Sequence, residues 1–379
     1  MKKILMCALA IALLVALCAC GSGSKTEESA EDPAAMEETT APSVDESIQE
    51  EAPEEAGGME QEPTAEEEAV SENSTASGEP SGELGKRGSG EMSGGGRGGM
   101  TSGVVTTELG EGWESFTYTY TNAAGEEAEL AYAVYVPEAY DGTTALPLVL
   151  YEGDATFVGS GVASFAAGQC PSNWITDENM AENPCFFLVI GFTESATNLT
   201  EGSQGSQTVG IIDEVVARYG IDENRLYITG QSMGGILAFE LNRAYPDKFA
   251  ASVYVACQPG ERIGDDTYND NIANEDFASQ TFVYIASALD PQAPKGQAAV
   301  MEVLDNAGAA YGLLTDMDYQ DIDSSNADVA AVLAEGYSQN FLQFATVTDS
   351  GNSASQHMGS FEYSYELNAI FEWLMQQSK

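Results

Sequence analysis

The chain of 379 residues has a single histidine, His357. A histidine-rich metal centre is therefore excluded. Cysteine and acidic residues do not group at zinc-ligand spacing either, so no metal is expected. Any chemistry that needs an imidazole base has to use this one residue. Positive charge is also scarce: 13 Lys and Arg stand against 61 Asp and Glu, for a net charge of −48. Such a surface repels nucleic acid, which is not an expected partner. Aromatic residues are absent from residues 21–100, which carry 21 acidic and 4 basic residues. A segment of that composition cannot bury enough apolar surface to offset its ordering entropy, and is expected to be a disordered acidic tether. The long apolar run Ile4–Leu17 is shorter than a comfortable membrane span.

The apolar run follows Lys2 and Lys3 and ends in Leu17-Cys18-Ala19-Cys20-Gly21. This resembles the lipobox of bacterial lipoproteins, with an ordinary cleaved signal as the alternative. The resemblance implies that residues 1–19 form a signal peptide and that Cys20 is lipidated and becomes the mature N-terminus. Residues 20–100 would then tether a domain at 101–379 to a membrane through the lipid, outside the cytoplasm. Residues 101–379 carry 40 acidic against 7 basic residues, enough chain for one sizeable domain. Three of the six cysteines, Cys170, Cys185 and Cys257, lie in that domain, and an odd number forbids complete pairing. Cys170 and Cys185 are a candidate disulfide in an oxidising exterior. Cys257 follows an apolar run and reads as a small buried hydrophobe. The acidic segment Asp316–Asp323 lacks the glycine and glutamate that a calcium loop needs, and reads as a solvated loop.

Within the domain, 116–120 and 130–136 alternate with the period of half-buried strands. Residues 146–151, 186–190, 225–229, 251–256, 281–286 and 342–347 are short apolar runs, the mark of strands covered on both faces. Helical patterns fall at 209–219, 233–245, 298–306 and 366–376, with Gly220 and Gly308 as caps and Pro246 as a stop. Strands alternating with helices predict an α/β fold. A mostly parallel sheet is flanked by helices, with antiparallel strands at its N-terminal edge.

Gly230-Gln-Ser-Met-Gly234 lies directly after a predicted buried strand and before a predicted helix. That is the context a nucleophile elbow requires, and it makes Ser232 the candidate nucleophile. His357 is its necessary base and lies in the predicted loop 348–359. Asp290, after the strand 281–286, is the candidate acid that orients the imidazole; Glu261 and Asp349 are its rivals. The chain order Ser232, Asp290, His357 is the one α/β-hydrolases use.

These segments carry a more specific resemblance. Ile221–Gly235, Tyr245–Ala251 and Ile370–Gln376 make residues 146–377 similar to the α/β-hydrolase branch of secreted esterases and peptidases. That branch includes polyhydroxybutyrate depolymerases, feruloyl esterases and the prolyl-oligopeptidase catalytic domain. The resemblance implies an acyl-enzyme mechanism with no cofactor. The expected substrate is a small-molecule or polymer-borne carboxylic ester. A serine peptidase, or a catalytically idle binding lipoprotein of the same fold, is the alternative. Two positions depart from the family. Glu152-Gly153-Asp154 replaces its His-Gly, and Met358–Phe361 replaces a tryptophan after the histidine. The oxyanion donors expected here are the backbone N–H groups of Asp154 and Met233. A carboxylate at 154 is harmful there unless it points away.

Overall fold

A computed structural model describes residues 106–258 and 279–379. The expected signal, tether and Cys20 lie outside the described residues, as does Glu261. In chain order the elements are β1 (Trp113–Thr121), β2 (Glu127–Tyr135), β3 (Leu148–Glu152), α1 (Val162–Ala166), α2 (Gln169–Trp174), α3 (Asp177–Glu182) and β4 (Phe186–Ile190). Next come α4 (Thr208–Tyr219), β5 (Leu226–Gln231), α5 (Met233–Ala244), β6 (Ala251–Val255) and β7 (Phe282–Ser287). The last are α6 (Ala293–Ala307), β8 (Gly312–Asp318), α7 (Ile322–Leu333), β9 (Gln339–Thr346), α8 (Ser353–Glu366) and α9 (Asn368–Met375).

The described strands form one sheet in the order β1-β2-β4-β3-β5-β6-β7-β9-β8. β1 and β2 are antiparallel at the N-terminal edge, β2 pairs antiparallel with β4, and the remaining pairings are parallel. This is the α/β-hydrolase architecture expected from the sequence. The composition of each strand explains its place. β1 alternates exposed with half-buried residues and sits at the edge, where Phe116 stacks on Tyr132 across the pair. The central strands β3, β4, β6 and β7 are buried at every position, because helices cover both faces.

Successive residues of β5 show the two covered faces directly, since strand side chains alternate. The Thr229 hydroxyl meets the Tyr365 hydroxyl of α8 at 3.0 Å on one face. Gly230 faces α5 on the other, where a Cβ would overlap the Gly234 backbone. A Cβ on Gly234 would in turn overlap the Glu152 carbonyl at the end of β3. The start of α5 thus lies directly on the carboxyl ends of β3 and β5.

Three expectations need correction. Residues 348–359 are not all loop: Asn352 caps α8 by accepting the Ala354 N–H at 2.9 Å, and His357 lies within that helix. The many Ser and Gly residues there hid the helical pattern. The acidic segment 316–323 is solvated as expected but is loop only at 319–321. Its first half belongs to β8, which carries a register irregularity after Leu314 and a positive φ at Asp316. In its second half, Asp321 caps α7 through the Ser324 N–H. Finally, Cys170 and Cys185 are separate, buried, free thiols, and so is Cys257.

The backbone contact between Gly230 and Gly234 generates a test. Gly230→Ala forces backbone against backbone, so it should cost about 3 kcal/mol, the upper part of the usual overpacking range. For a domain of this size that corresponds to a fall in Tm of roughly 6–12 °C in a thermal melt. An unchanged Tm would show that the elbow relaxes freely.

Candidate active site

Ser232 stands between the last residue of β5 and the first of α5. Its backbone has φ 51° and ψ −114°, a conformation that non-glycine residues rarely adopt. Its own N–H is fixed by the Val255 carbonyl of β6 at 3.0 Å. A serine preceding a helix usually turns its hydroxyl back onto the free N–H groups of the first turn. Ser232 makes no such capping bond. Instead its Oγ lies 2.9 Å from His357 Nε2.

His357 Nδ1 lies 2.6 Å from Asp290 Oδ2. A carboxylate only accepts, so Nδ1 carries the proton and Nε2 is left to accept from the serine hydroxyl. The Asp290 side chain is fully buried, and that of His357 is 24% exposed. Asp290 Oδ1 accepts the backbone N–H groups of Gln292 and Ala293 at 2.8 and 2.9 Å, at the start of α6. One carboxylate oxygen is therefore held by the backbone while the other faces the imidazole. Asp349 does not reach His357; it accepts the Tyr319 hydroxyl at 3.2 Å.

The helix carrying His357 is itself fastened by groups that the sequence did not single out. Gln356 is buried, and its Oε1 accepts the Ser287 hydroxyl at 2.7 Å and the Val347 N–H at 3.1 Å. Its Nε2 donates to Thr346 Oγ1 at 2.8 Å. Ser360 Oγ accepts the Ser287 N–H at 3.0 Å. These bonds tie α8 to the carboxyl ends of β7 and β9. Only the adjacency of Gln356 to the single histidine marked it in the sequence.

Met233 is the first residue of α5, so its N–H is among the four that have no acceptor within the helix. Glu152 of β3 pairs in register with Gly230 of β5. Asp154 and Ser232 each follow two residues beyond this pair, which brings the second expected oxyanion donor beside the elbow. Both oxygens of the Asp154 carboxylate are engaged: Oδ1 accepts the Thr156 N–H at 2.8 Å and Oδ2 accepts Gln231 Nε2 at 2.7 Å. Glu152 is different. It is buried beneath the start of α5, and neither carboxylate oxygen has a hydrogen-bond partner among the described residues. Burial pushes its carboxyl well above the usual carboxylate range.

No protein-family model matches the chain. Over 59 residues the chain is 41% identical to feruloyl esterase B of Talaromyces funiculosus, a match covering 15% of this chain and 17% of that protein. The chain therefore spans about a sixth of the length of that curated relative. A solved thermostable esterase is 21% identical, with a TM-score of 0.47 over 70% of this chain and 63% of that one. A solved acylaminoacyl peptidase is 14% identical, with a TM-score of 0.44 over 70% of this chain and 42% of that one.

Glu152 makes stability depend on pH in a defined direction. Its folded-state pKa is raised, so the folded chain holds a proton that the unfolded chain has lost above about pH 4.3. The stabilisation is complete below that unfolded value and is lost as pH rises towards the folded one. In thermal melts from about pH 4 upward, wild type should lose Tm relative to Glu152→Gln as pH increases. A Tm difference that stays constant across the series would show that Glu152 ionises normally in the fold.

Proposed function

We propose that this chain is a serine hydrolase that cleaves carboxylic esters through an acyl-enzyme intermediate. The observation that carries this reading is the continuous line of hydrogen bonds from Ser232 Oγ through His357 to Asp290 at a strained strand-to-helix turn. Ser232 Oγ attacks the ester carbonyl while His357 Nε2 takes the hydroxyl proton. The carbonyl π electrons move to oxygen, where the N–H groups of Met233 and Asp154 receive the negative charge. His357 then gives its proton to the departing alkoxide, the alcohol leaves, and the acyl group stays on Ser232. Water repeats the sequence against the acyl-enzyme, releases the acid and restores the serine. Asp290 holds the Nδ1–H tautomer throughout and stabilises the transient imidazolium.

The preference for esters is supported by the identity shared with a feruloyl esterase. The sequence features at Lys2–Gly21 support a further part of the reading. Lipid on Cys20 would hold the domain at a membrane outside the cytoplasm. Cys20→Ala should then release the protein from the membrane fraction or block its maturation.

A fluorophosphonate should label Ser232 covalently, and Ser232→Ala should abolish labelling. His357→Ala should lower kcat by several orders of magnitude, and Asp290→Asn by about 10³- to 10⁴-fold, because the wrong imidazole tautomer is then favoured. p-Nitrophenyl esters and feruloyl esters should be turned over, and peptide amides of the same acyl groups much more slowly. Absence of labelling in folded wild type would refute the serine mechanism. Faster turnover of the amides would move the reading to a peptidase.

A further inference from the structure

We propose that Tyr151, Gln231 and Asp154 form a positioning bridge that sets the oxyanion donor of Asp154 against the nucleophile. The inference rests on the acyl-transfer reading above and concerns how this chain builds that site. The ladder between β3 and β5 ends with Glu152 opposite Gly230. Beyond that pair β3 turns away at Gly153–Asp154, while β5 runs on for one residue, Gln231, paired only with Val255 of β6, before the elbow. No strand pairing remains to fix Asp154 relative to Ser232, although an oxyanion donor has to be placed to within a fraction of an ångström.

The Gln231 side chain supplies the connection. Its Oε1 accepts the Tyr151 hydroxyl at 3.1 Å, just before the β3 turn. Its Nε2 donates to Asp154 Oδ2 at 2.7 Å, just after it. Asp154 Oδ1 is closed off by the Thr156 N–H at 2.8 Å. The turn is thus folded around one amide group, and that amide belongs to the residue directly before the nucleophile. All three side chains are buried. In such surroundings a polar group that loses its partner is heavily penalised, so the arrangement has one favoured geometry. A displacement of Asp154 is resisted by Gln231, and through it by the backbone of Ser232.

The bridge also manages charge. It spends both oxygens of the Asp154 carboxylate on N–H donors away from the reacting carbonyl, while the backbone N–H of the same residue stays available to it. Gln231 and Tyr151 are positioning residues, and the Asp154 side chain acts in the same way; none of these side chains needs to touch substrate.

The test compares wild type with Asp154→Ala, Asp154→Asn, Gln231→Leu, Tyr151→Phe and the Asp154→Ala/Gln231→Leu double variant. The readouts are steady-state turnover of a p-nitrophenyl ester, the rate constant of fluorophosphonate labelling, and the final labelled fraction. Asp154→Ala and Gln231→Leu should each lower kcat and the labelling rate constant by about 10- to 100-fold, with KM little changed, as expected for a displaced oxyanion donor. The labelled fraction should still approach one per chain. The double variant should be no worse than either single one, because one bridge is broken in all three. Asp154→Asn should recover about tenfold relative to Ala, since the Gln231 amide can turn over and pair with it. Tyr151→Phe removes a single hydroxyl and should slow labelling less than Asp154→Ala does.

Three results would overturn the bridge while leaving the serine mechanism standing. They are labelling of the Ala and Leu variants at the wild-type rate constant, losses that multiply in the double variant, and a labelled fraction that falls with unchanged rate in the remainder. Folded wild type that does not label at all would instead overturn the hydrolase reading, and the bridge with it.

Discussion

The backbone contact between the end of β5 and the first turn of α5 is the constraint on which the site depends. Gly230 and Gly234 have no Cβ, so the helix can settle on the strand ends with Ser232 pinched between them. A non-glycine residue at φ 51° costs about 1–3 kcal/mol and persists only where its surroundings dictate it. Here the Val255 carbonyl holds the Ser232 N–H from one side, and the packed glycines hold the helix from the other. The strain has a use. A serine in ordinary N-cap geometry would spend its hydroxyl on the helix, whereas this one presents it to His357.

The rest of the site is assembled on the carboxyl ends of neighbouring strands, where open α/β sheets place their functional groups. Each contributing side chain is held by a buried polar partner from a different element. Asp290 is fastened to the start of α6, His357 to Asp290, and the α8 turn beneath it to β7 and β9 through Gln356. No single strong interaction dominates. Many well-directed hydrogen bonds in a dry setting leave few alternative geometries, and this preorganisation is what transition-state stabilisation requires.

A chain with this excess of acid also has to place its carboxylates. Much of the solution visible here is local, with aspartates turned onto backbone N–H groups. Asp141 accepts from Thr143 and Thr144, which holds its carboxyl well below the usual range. Asp321 caps α7, and Asp154 and Asp290 use the same device inside the site. Glu152 is the exception, a buried acid beneath the start of α5 with no hydrogen-bond partner among the described residues, and desolvation pushes its carboxyl well above the usual range.

The sequence by itself determined the central strands and the alternation of strands with helices, because apolar runs and two- and 3.6-residue periods depend only on local order. It also singled out Ser232 through its strand–glycine–helix context, and His357 because no other histidine exists. It misread the His357 segment as loop, since Ser and Gly are poor helix signals, and missed β8, where acidic residues and an irregular register obscure the strand. It also suggested a Cys170–Cys185 disulfide, whereas the fold leaves both as separate buried thiols. The sequence favoured Asp290 over its rivals Glu261 and Asp349, but only the tertiary structure, with the strands ordered and α8 laid across them, set Asp290 against His357 and Asp349 against Tyr319. Tertiary structure alone made Gln231, next to Ser232, the link to the turn at Asp154, and engaged both oxygens of the Asp154 carboxylate with N–H donors. The physical reason is common to these cases. Local pattern records which residues seek burial, but a hydrogen bond between residues 77 or 67 positions apart exists only after packing has removed the water that would otherwise satisfy them.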